Sequence, residues 1–482
     1  MQVRSDFFID GCWQPPAGRD TLDVISPHTE AVIGRAPDGT PADIDAAVAA
    51  ARRAFDRGPW PTLAAPARAA YLRRFAQGLR ERSAELAAAV SREGGFPIAT
   101  SELSHVLPAV AFVDYYADLI ERSPFESGRD ALHFDTLVRR LPIGVVGAIV
   151  PWNIPILGAL SKLAPALAAG CTVVLKPSPE TPLSSFLLAE IAQAAEFPAG
   201  VFNLVSTGIA GSMRLVAHPD VDKIAFTGST AVGKLIARNC ADTLKRCSLE
   251  LGGNAAAIVL DDAPLELVAQ GLLLASLIFN NGEACIAQRR ILVPKALQPR
   301  FVDALHAVAQ SVRIGDPEDP QTQLGPLVTK THAERVRGYI GIGKDEGATL
   351  VSGGPTVSGL SRGWYVAPTI FTNVHQRMRI ASEEIFGPVV NVIAYDDEGD
   401  ALRIAGDTEY GLSGSVWSAD VERATALGKQ LRVGSVYVNG SMALDPNVPF
   451  GGFRQSGLGR ELGPEGLGEY LETQAILRPK AH

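Results

Sequence analysis

Cysteine is scarce in this chain of 482 residues. There are five, Cys12, Cys171, Cys240, Cys247 and Cys285, an odd number without any Cys-x-x-Cys spacing. That scarcity excludes a disulfide scaffold, argues against a zinc framework and favours a reducing compartment; no metal site is expected. Blocks of like charge are also missing, and the net charge of −8 is spread along the chain. With no electrostatic footprint for nucleic acid or for a membrane surface, the expected partner is a small molecule. Segment 1–10 lacks an uninterrupted apolar core and a small-residue cleavage site, so no signal peptide is read and a cytoplasmic location is expected. The one uncharged stretch of bilayer length, 141–161, holds Pro142, Pro151 and Pro155. A single helix in hydrocarbon does not accommodate them, whereas a buried strand, a turn and a following helix do. Internal repeats and low-complexity linkers are absent too, which implies closely packed units.

What remains is an ordinary globular composition, 46% hydrophobic, over a length that suggests two or three units at ~150 residues each and leaves room for a deep cleft. Thr40-Pro41-Ala42-Asp43 starts a helix, with Ile44, Val48, Ala51 and Phe55 at helical spacing. A second long helical pattern covers about 64–92. From 141 onward, short apolar β-type runs at 145–150, 172–175, 201–205 and 223–226 alternate with helical patterns at 156–169, 182–195 and 231–239. This punctuation predicts an α/β fold whose parallel sheet is covered on both faces, with ligands at the carboxyl ends of its strands. A second α/β segment runs from about 255 to 439, with strands at 291–293 and 433–438, and the boundary falls near Leu251-Gly252-Gly253.

Five places could carry chemistry. The strand at 223–226 runs into Thr227-Gly228-Ser229-Thr230 with Gly233 beyond, a Gly-rich junction that opens backbone N–H groups and a helix N-terminus to a phosphate. There is no Gly-x-Gly-x-x-Gly, and an ordinary capped helix start fits as well. Lys176 ends a strand where a nucleotide would sit, or is simply solvated. Cys285 lies on a polar, Gly-containing interruption after an apolar segment, where a thiol can meet substrate; packing is the alternative for it, as for the other four cysteines. Glu250, just before Leu251-Gly-Gly, could present a carboxylate into an interdomain cleft, and Asn153, held between Pro151 and Pro155, could face an oxyanion. Solvation and turn chemistry are the plainer readings of these two.

Taken in order, the chain resembles the aldehyde dehydrogenase superfamily along nearly its whole length. The likeness rests on Pro151-Trp-Asn-Ile-Pro155, Lys176-Pro-Ser, Phe226-Thr-Gly-Ser-Thr230 with Gly233, Glu250-Leu-Gly-Gly253, Phe279 through Cys285, Glu383-Glu-Ile-Phe-Gly-Pro-Val389, and Pro449-Phe-Gly-Gly-Phe453 followed by Ser456-Gly-Leu-Gly-Arg-Glu461. The resemblance implies a Rossmann-type nucleotide-binding domain, an α/β catalytic domain and a small β oligomerisation element. It implies that the Cys285 thiolate attacks the aldehyde, that Asn153 and the Cys285 N–H hold the oxyanion, and that hydride passes to nicotinamide. Water activated by Glu250 would then release the acid, and the presence of that base favours hydrolysis over transfer to coenzyme A. Glu384 matches the residue on the nicotinamide ribose, Phe386 its ring-positioning neighbour, and Ser229 and Trp152 positions near the cofactor phosphates and the adjoining turn. Lys176, Gly228, Gly233 and Leu251 complete the expected cofactor set, and Lys162 with Glu461 matches a pair linked to proton relay.

One departure bears on the cofactor. Many NAD-specific members carry Glu three residues after the motif lysine, where it repels a 2′-phosphate; here that residue is Pro179, followed by Glu180. NAD is expected, with NADP also admitted. The matched substrate tunnel is Ile154, Leu157, Gly158, Ser161, Phe279, Ala284, Ile286, Leu444 and Phe450, apolar and partly small, which points to an apolar or aromatic aldehyde. The expected boundaries are 1–119 with 141–250 for nucleotide binding, 251–440 for catalysis with tail loops to about 465, and 120–140 with 466–482 for a bridging element whose edge strands imply a homodimer or homotetramer. The rival readings are a nicotinamide-independent thiol esterase using the same three residues, and a catalytically silent binding protein on this scaffold.

Overall fold

A computed structural model of the protein describes residues 2–441 and 444–480; Ala481 and His482, the end of the expected bridging element, lie outside the described residues. The larger of its two main sheets runs Gly457–Leu458, Arg246–Glu250, Lys223–Thr227, Val145–Ile149, Thr172–Lys176, Phe202–Leu204, Phe7–Ile9, Cys12–Gln14. Its five central strands are parallel and the outer ones antiparallel. Val145–Ile149 and Thr172–Lys176 are buried throughout, which is why they read as continuous apolar runs. From Val145–Ile149 the chain moves outward through Thr172–Lys176 and Phe202–Leu204, then returns to lay Lys223–Thr227 on the other side. A crevice opens at the carboxyl ends where the strand order reverses in this way, and the loops beginning Pro151-Trp152-Asn153 and Gly228-Ser229 leave from it.

The second sheet runs Thr349–Gly354, Ala367–Thr372, Val389–Tyr395, Arg290–Pro294, Ala256–Val259, Ser413–Trp417, Ser435–Val438, parallel except for its first pair. Cys285 precedes Arg290–Pro294, Gly253 precedes Ala256–Val259, and Glu384 precedes Val389–Tyr395. The first sheet therefore turns its carboxyl ends, and the second its amino ends, toward one cleft.

Three features depart from the sequence reading. The long helical pattern over 64–92 is two helices, Ala65–Glu81 and Ser83–Gly94, broken at Arg82, whose guanidinium pairs with Glu85 and Glu190, each at 2.7 Å. Gly457–Leu458, expected among tail loops of the second unit, pairs instead with Leu249 and Glu250 in the first sheet. Leu265–Gly282 is apolar and long enough to cross a bilayer, yet it is 61% buried and divides into α, π and 3-10 turns. By contrast, 141–161 resolves into Val145–Ile149 and the start of the fully buried helix Pro155–Ala169, as its prolines require.

Two three-stranded sheets complete the fold. One pairs Leu471–Pro479 with Phe134–Pro142 over nine positions and continues to Glu126–Asp130; its two outer strands are mostly exposed. The other joins Gln2–Val3, Val32–Pro37 and Thr21–Ile25.

Candidate active site

Cys285 owes its position to an unusual approach. The helix Leu265–Leu273 passes through the π turn Leu274–Ile278 into Phe279–Gly282, where Asn280, Asn281 and Gly282 have φ of 48°, 55° and 75°. Asparagine tolerates the left-handed region better than most residues, and glycine adopts it freely. At Gly282 nothing larger fits, because a Cβ would stand 2.5 Å from Gly387 C and Pro388 N. The fully buried Asn281 is fastened on both sides of its amide: Nδ2 donates to Gly95 O at 2.9 Å and Pro326 O at 3.0 Å, and Oδ1 accepts from Gly325 N at 2.7 Å.

The thiol so placed stands where two cavities meet. One, of about 490 Å³, is lined by Asn153, Ile154, Leu157, Ser161, Glu250, Phe279, Ala284, Ile286, Leu444, Phe450 and Glu461. The other, of about 300 Å³, is lined by Trp152, Gly228, Ser229, Leu251, Glu384 and Phe386, and again by Asn153 and Ile154. Burial pushes the Cys285 thiol up to about 12, and the carboxyls of Glu384 and Glu250 push the same way, so the resting sulfur is protonated. Asn153 is buried, donates one amide N–H to Glu283 O at 2.8 Å, and has its own carbonyl held by Asn280 Nδ2 at 2.8 Å.

Glu250 ends its strand inside the larger cavity with neither carboxyl oxygen hydrogen-bonded among the described residues. Burial above all, and then Glu461, hold it well above the usual carboxylate range against the opposing charge of Lys162. Lys162, fully buried, donates to Glu461 Oε1 and to Thr227 Oγ1, both at 2.6 Å. This joins the pair to the end of the strand before Gly228.

The smaller cavity is made by close approaches. A Cβ would stand 2.4 Å from the Phe226 ring at Gly228 and 2.3 Å from Glu384 Oε2 at Gly252. Ser229 caps the helix Thr230–Ala241 by accepting from Val232 N at 3.4 Å, so the cavity wall at Gly228 and Ser229 is the start of that helix. Glu384 Oε1 accepts from Gly253 N at 2.9 Å, and Arg335 donates to the carbonyls of Glu384 and Ile385. Phe386, at φ 59°, meets Trp152 edge-on at 5.5 Å, and its carbonyl lies 2.7 Å from His332 Nε2.

Four expected residues stand back from the cavity walls, among them Lys162, fully buried and bonded to Glu461 and Thr227. Gly233 packs under Leu251, where a Cβ would come within 2.4 Å of Cδ2, and so sets the distance between helix and strand. Lys176 ends the neighbouring strand, buried among residues other than those of the smaller cavity, and desolvation pulls it down to about 8 against the charges of Glu180 and Asp38. Gly158, expected in the tunnel, does not line it; a Cβ there would crowd Ile154 and Pro151 at 3.3 Å, so the glycine leaves room for Ile154, which does line the cavity.

Unforeseen wall residues are Thr100, Leu103, Ser104, Pro108, Phe112, Leu274, Ser441 and Leu462 in the larger cavity, and Pro151, Gly252, His332 and Arg335 in the smaller; Thr227 lines both. The only available signal was the hydroxyl cap of Thr329 opening the helix Lys330–Asp345, which marks a helix start but not what it faces.

A strand-order switch point, a cysteine between two cavities and a buried carboxylate on one of them describe a thiol enzyme with room for a nucleotide beside a second ligand, and the profile of the aldehyde dehydrogenase family matches residues 13–476. The chain belongs to that family, whose members oxidise an aldehyde to the acid. It is 44% identical to geranial dehydrogenase of Castellaniella defragrans over 470 residues, 97% of this chain and 98% of that protein. It is 42% identical to 3-succinoylsemialdehyde-pyridine dehydrogenase of a Pseudomonas species, over 99% of both chains. Among solved structures it matches a Mycobacterium tuberculosis aldehyde dehydrogenase complexed with NAD+ at TM-score 0.98 and 41% identity, covering 100% of this chain and 99% of that one. It also matches a Pseudomonas syringae aldehyde dehydrogenase C variant, complexed with NAD+ and octanal, at TM-score 0.95 and 40% identity over 98% and 96%.

Two outcomes follow from this geometry. Iodoacetamide labelling of the Cys285 peptide in cofactor-free enzyme, followed by mass spectrometry, should accelerate about tenfold per pH unit from 7 to 9, because only thiolate reacts; a plateau near neutrality would contradict the buried, protonated thiol. Asn281→Ala should lower stability by about 3–5 kcal/mol, with a melting temperature several degrees lower, since it strands three buried partners and leaves a Cβ-bearing residue at positive φ.

Proposed function

We propose that this enzyme oxidises an apolar aldehyde to its carboxylic acid with NAD through a covalent Cys285 adduct. The observation that carries the reading is the meeting of the two cavities at Cys285, with Glu250 unpaired in the larger one.

The smaller cavity fits a dinucleotide's nicotinamide end. It has backbone close enough that glycines are required, helix-start N–H groups for a phosphate, and Glu384 for a ribose hydroxyl. When bound, nicotinamide supplies the hydride acceptor. Lys176 would meet the adenosine ribose, and Glu180, whose carboxylate acts on that lysine, carries the negative charge that disfavours a 2′-phosphate one residue later than expected.

In this reading Cys285 adds to the carbonyl carbon, and its proton leaves toward Glu250. The second N–H of Asn153, with the Cys285 backbone N–H, receives the oxyanion as it forms. Once oxidised, the adduct is a thioester on Cys285. Glu250 then takes a proton from water as that water attacks, and the acid leaves as the thiol is restored. Between the two steps Glu250 passes the thiol's proton by way of Glu461 and Lys162 to solvent, so that it is ionised again when water attacks. Because Glu250 must lose its proton to act as base, and its pKa is raised, turnover rises with pH through that raised value.

The larger cavity indicates the substrate. Among the described residues its lining holds no lysine or arginine, and its walls are mostly aliphatic and aromatic, with Leu103 and Leu274 67% and 55% exposed beside it. A distal carboxylate would find no partner there. The exposed edge strands Leu471–Pro479 and Glu126–Asp130 favour assembly with further copies of the chain, as homodimer or homotetramer, and five unpaired cysteines fit a cytoplasmic location.

Glu250→Gln should leave a stoichiometric burst of reduced nicotinamide absorbance while steady turnover falls about 100-fold or more, because thioester accumulates. Unchanged turnover would remove Glu250 from the mechanism, and aldehyde-independent ester cleavage with no nicotinamide reduction would favour the esterase. Along a series of straight-chain aldehydes, kcat/KM should rise about fourfold per methylene until the cavity is filled. Better use of succinic semialdehyde or betaine aldehyde would refute the apolar assignment.

A further inference from the structure

His105 is fully buried in the π turn Glu102–Val106, between Ile98–Ser101 and the helix Leu107–Arg122. Its ring stacks on Phe96 at 5.0 Å, and its Nε2 lies 3.0 Å from Asn280 Oδ1. Asn280 Nδ2 donates to the carbonyl of Asn153, so its Oδ1 is left as an acceptor and Nε2 of His105 must carry the proton. Nδ1 then has a bare lone pair, and it has no hydrogen-bond partner among the described residues. Desolvation pulls the imidazole down to about 4, so this neutral tautomer persists across the working range.

The contacts form one continuous path. His105 Nε2–H holds Asn280 Oδ1, Asn280 Nδ2–H holds Asn153 O, and Asn153 Nδ2–H holds Glu283 O two residues before Cys285. Asn280 sits at φ 48°, where its own backbone does little to fix the amide, so its orientation depends on what grips both ends of the side chain. From these contacts we infer that His105 is a positioning residue for Asn153, locking Asn280 so that the free N–H of Asn153 is aimed at the carbonyl oxygen above Cys285. Thr100, Leu103 and Ser104, from the same segment, line the substrate cavity, so one backbone segment shapes the tunnel wall and orients the oxyanion donor.

This inference rests on the reading of Asn153 as that donor, and a double-substitution cycle separates the two. Asn153→Ala, His105→Leu and the pair are compared by kcat/KM for one aldehyde, alongside the NAD dissociation constant and the melting temperature. His105→Leu should lower kcat/KM roughly tenfold to a hundredfold without weakening NAD binding. In the Asn153→Ala background the same change should cost about twofold or less, because the group it positions is already gone. His105→Gln, which can still donate to Asn280, should recover most of the loss. If the leucine variant does not fold, His105→Asn, polar but too short to reach Asn280, takes its place with the same expected loss. Multiplying effects, an equal loss of NAD affinity, or a glutamine variant no better than leucine would each overturn the positioning role. Full activity of Asn153→Ala would overturn the oxyanion reading itself, and the inference with it.

Discussion

The structure depends on three successive left-handed residues, Asn280, Asn281 and Gly282, just ahead of the cysteine. A helix cannot continue through them, and each non-glycine residue held there costs on the order of 1 kcal/mol. Buried hydrogen bonds to Gly95, Pro326, Gly325 and Asn153 stabilise the turn, and all come from outside the second sheet's strands. The conformation therefore exists only when both units of the fold are in place. Folding and assembly of the site are thus one event, and the thiol is delivered to the cleft by segments more than a hundred residues apart in sequence, such as those carrying Asn153 and Asn280.

That placement carries an electrostatic cost with a chemical use. Cys285, Glu250 and Glu384 are all held above their ordinary pKa values, chiefly by burial, so each gives up its proton less readily than it would in water. A buried acid without a close cationic partner is a poor base at low pH but a strong one once ionised. It is therefore suited to drawing a proton from a thiol or from water when a ligand alters the local field. Lys162 is close enough to oppose the shift in Glu250, but its direct bonds go to Glu461 and Thr227, which leaves Glu250 free to face the substrate.

Residues at strand ends were legible in the sequence because parallel α/β sheets concentrate chemistry there. Asn153, Lys176 and Gly228 each follow or end a short apolar run, and the run announces the position, whereas Glu250 ends the polar strand Arg246–Glu250 and is marked by the Leu-Gly-Gly after it. Side chains that act from helical segments outside the matched motifs were not. Phe112 and His105 lie among apolar residues whose spacing says core, and nothing local distinguishes a core that faces a protein neighbour from one that faces a cavity. The break at Arg82 has no proline or glycine to mark it, and Gly457–Leu458 is a strand of two residues that exists only because Arg246–Glu250 offers it an edge. Gly158 shows the converse limit: the family resemblance puts it in the tunnel, while the helix turns it one layer back, against Ile154.

The two cavities impose different requirements on the same loop. In the smaller cavity the backbone itself forms much of the wall, so Gly228 and Gly252 are constrained by contacts that no side chain could share, and little variation is tolerable. On the substrate side the wall is built of interchangeable apolar side chains from several elements, where volume-conserving changes cost little. Substrate range can therefore drift while the chemistry stays fixed, provided that the turn before Cys285 and the hydrogen bonds reaching it from Asn153 are left alone. The segment holding Thr100, Leu103 and His105 is where this separation is weakest, because the residues that shape the tunnel share one short stretch of backbone with the residue that grips Asn280.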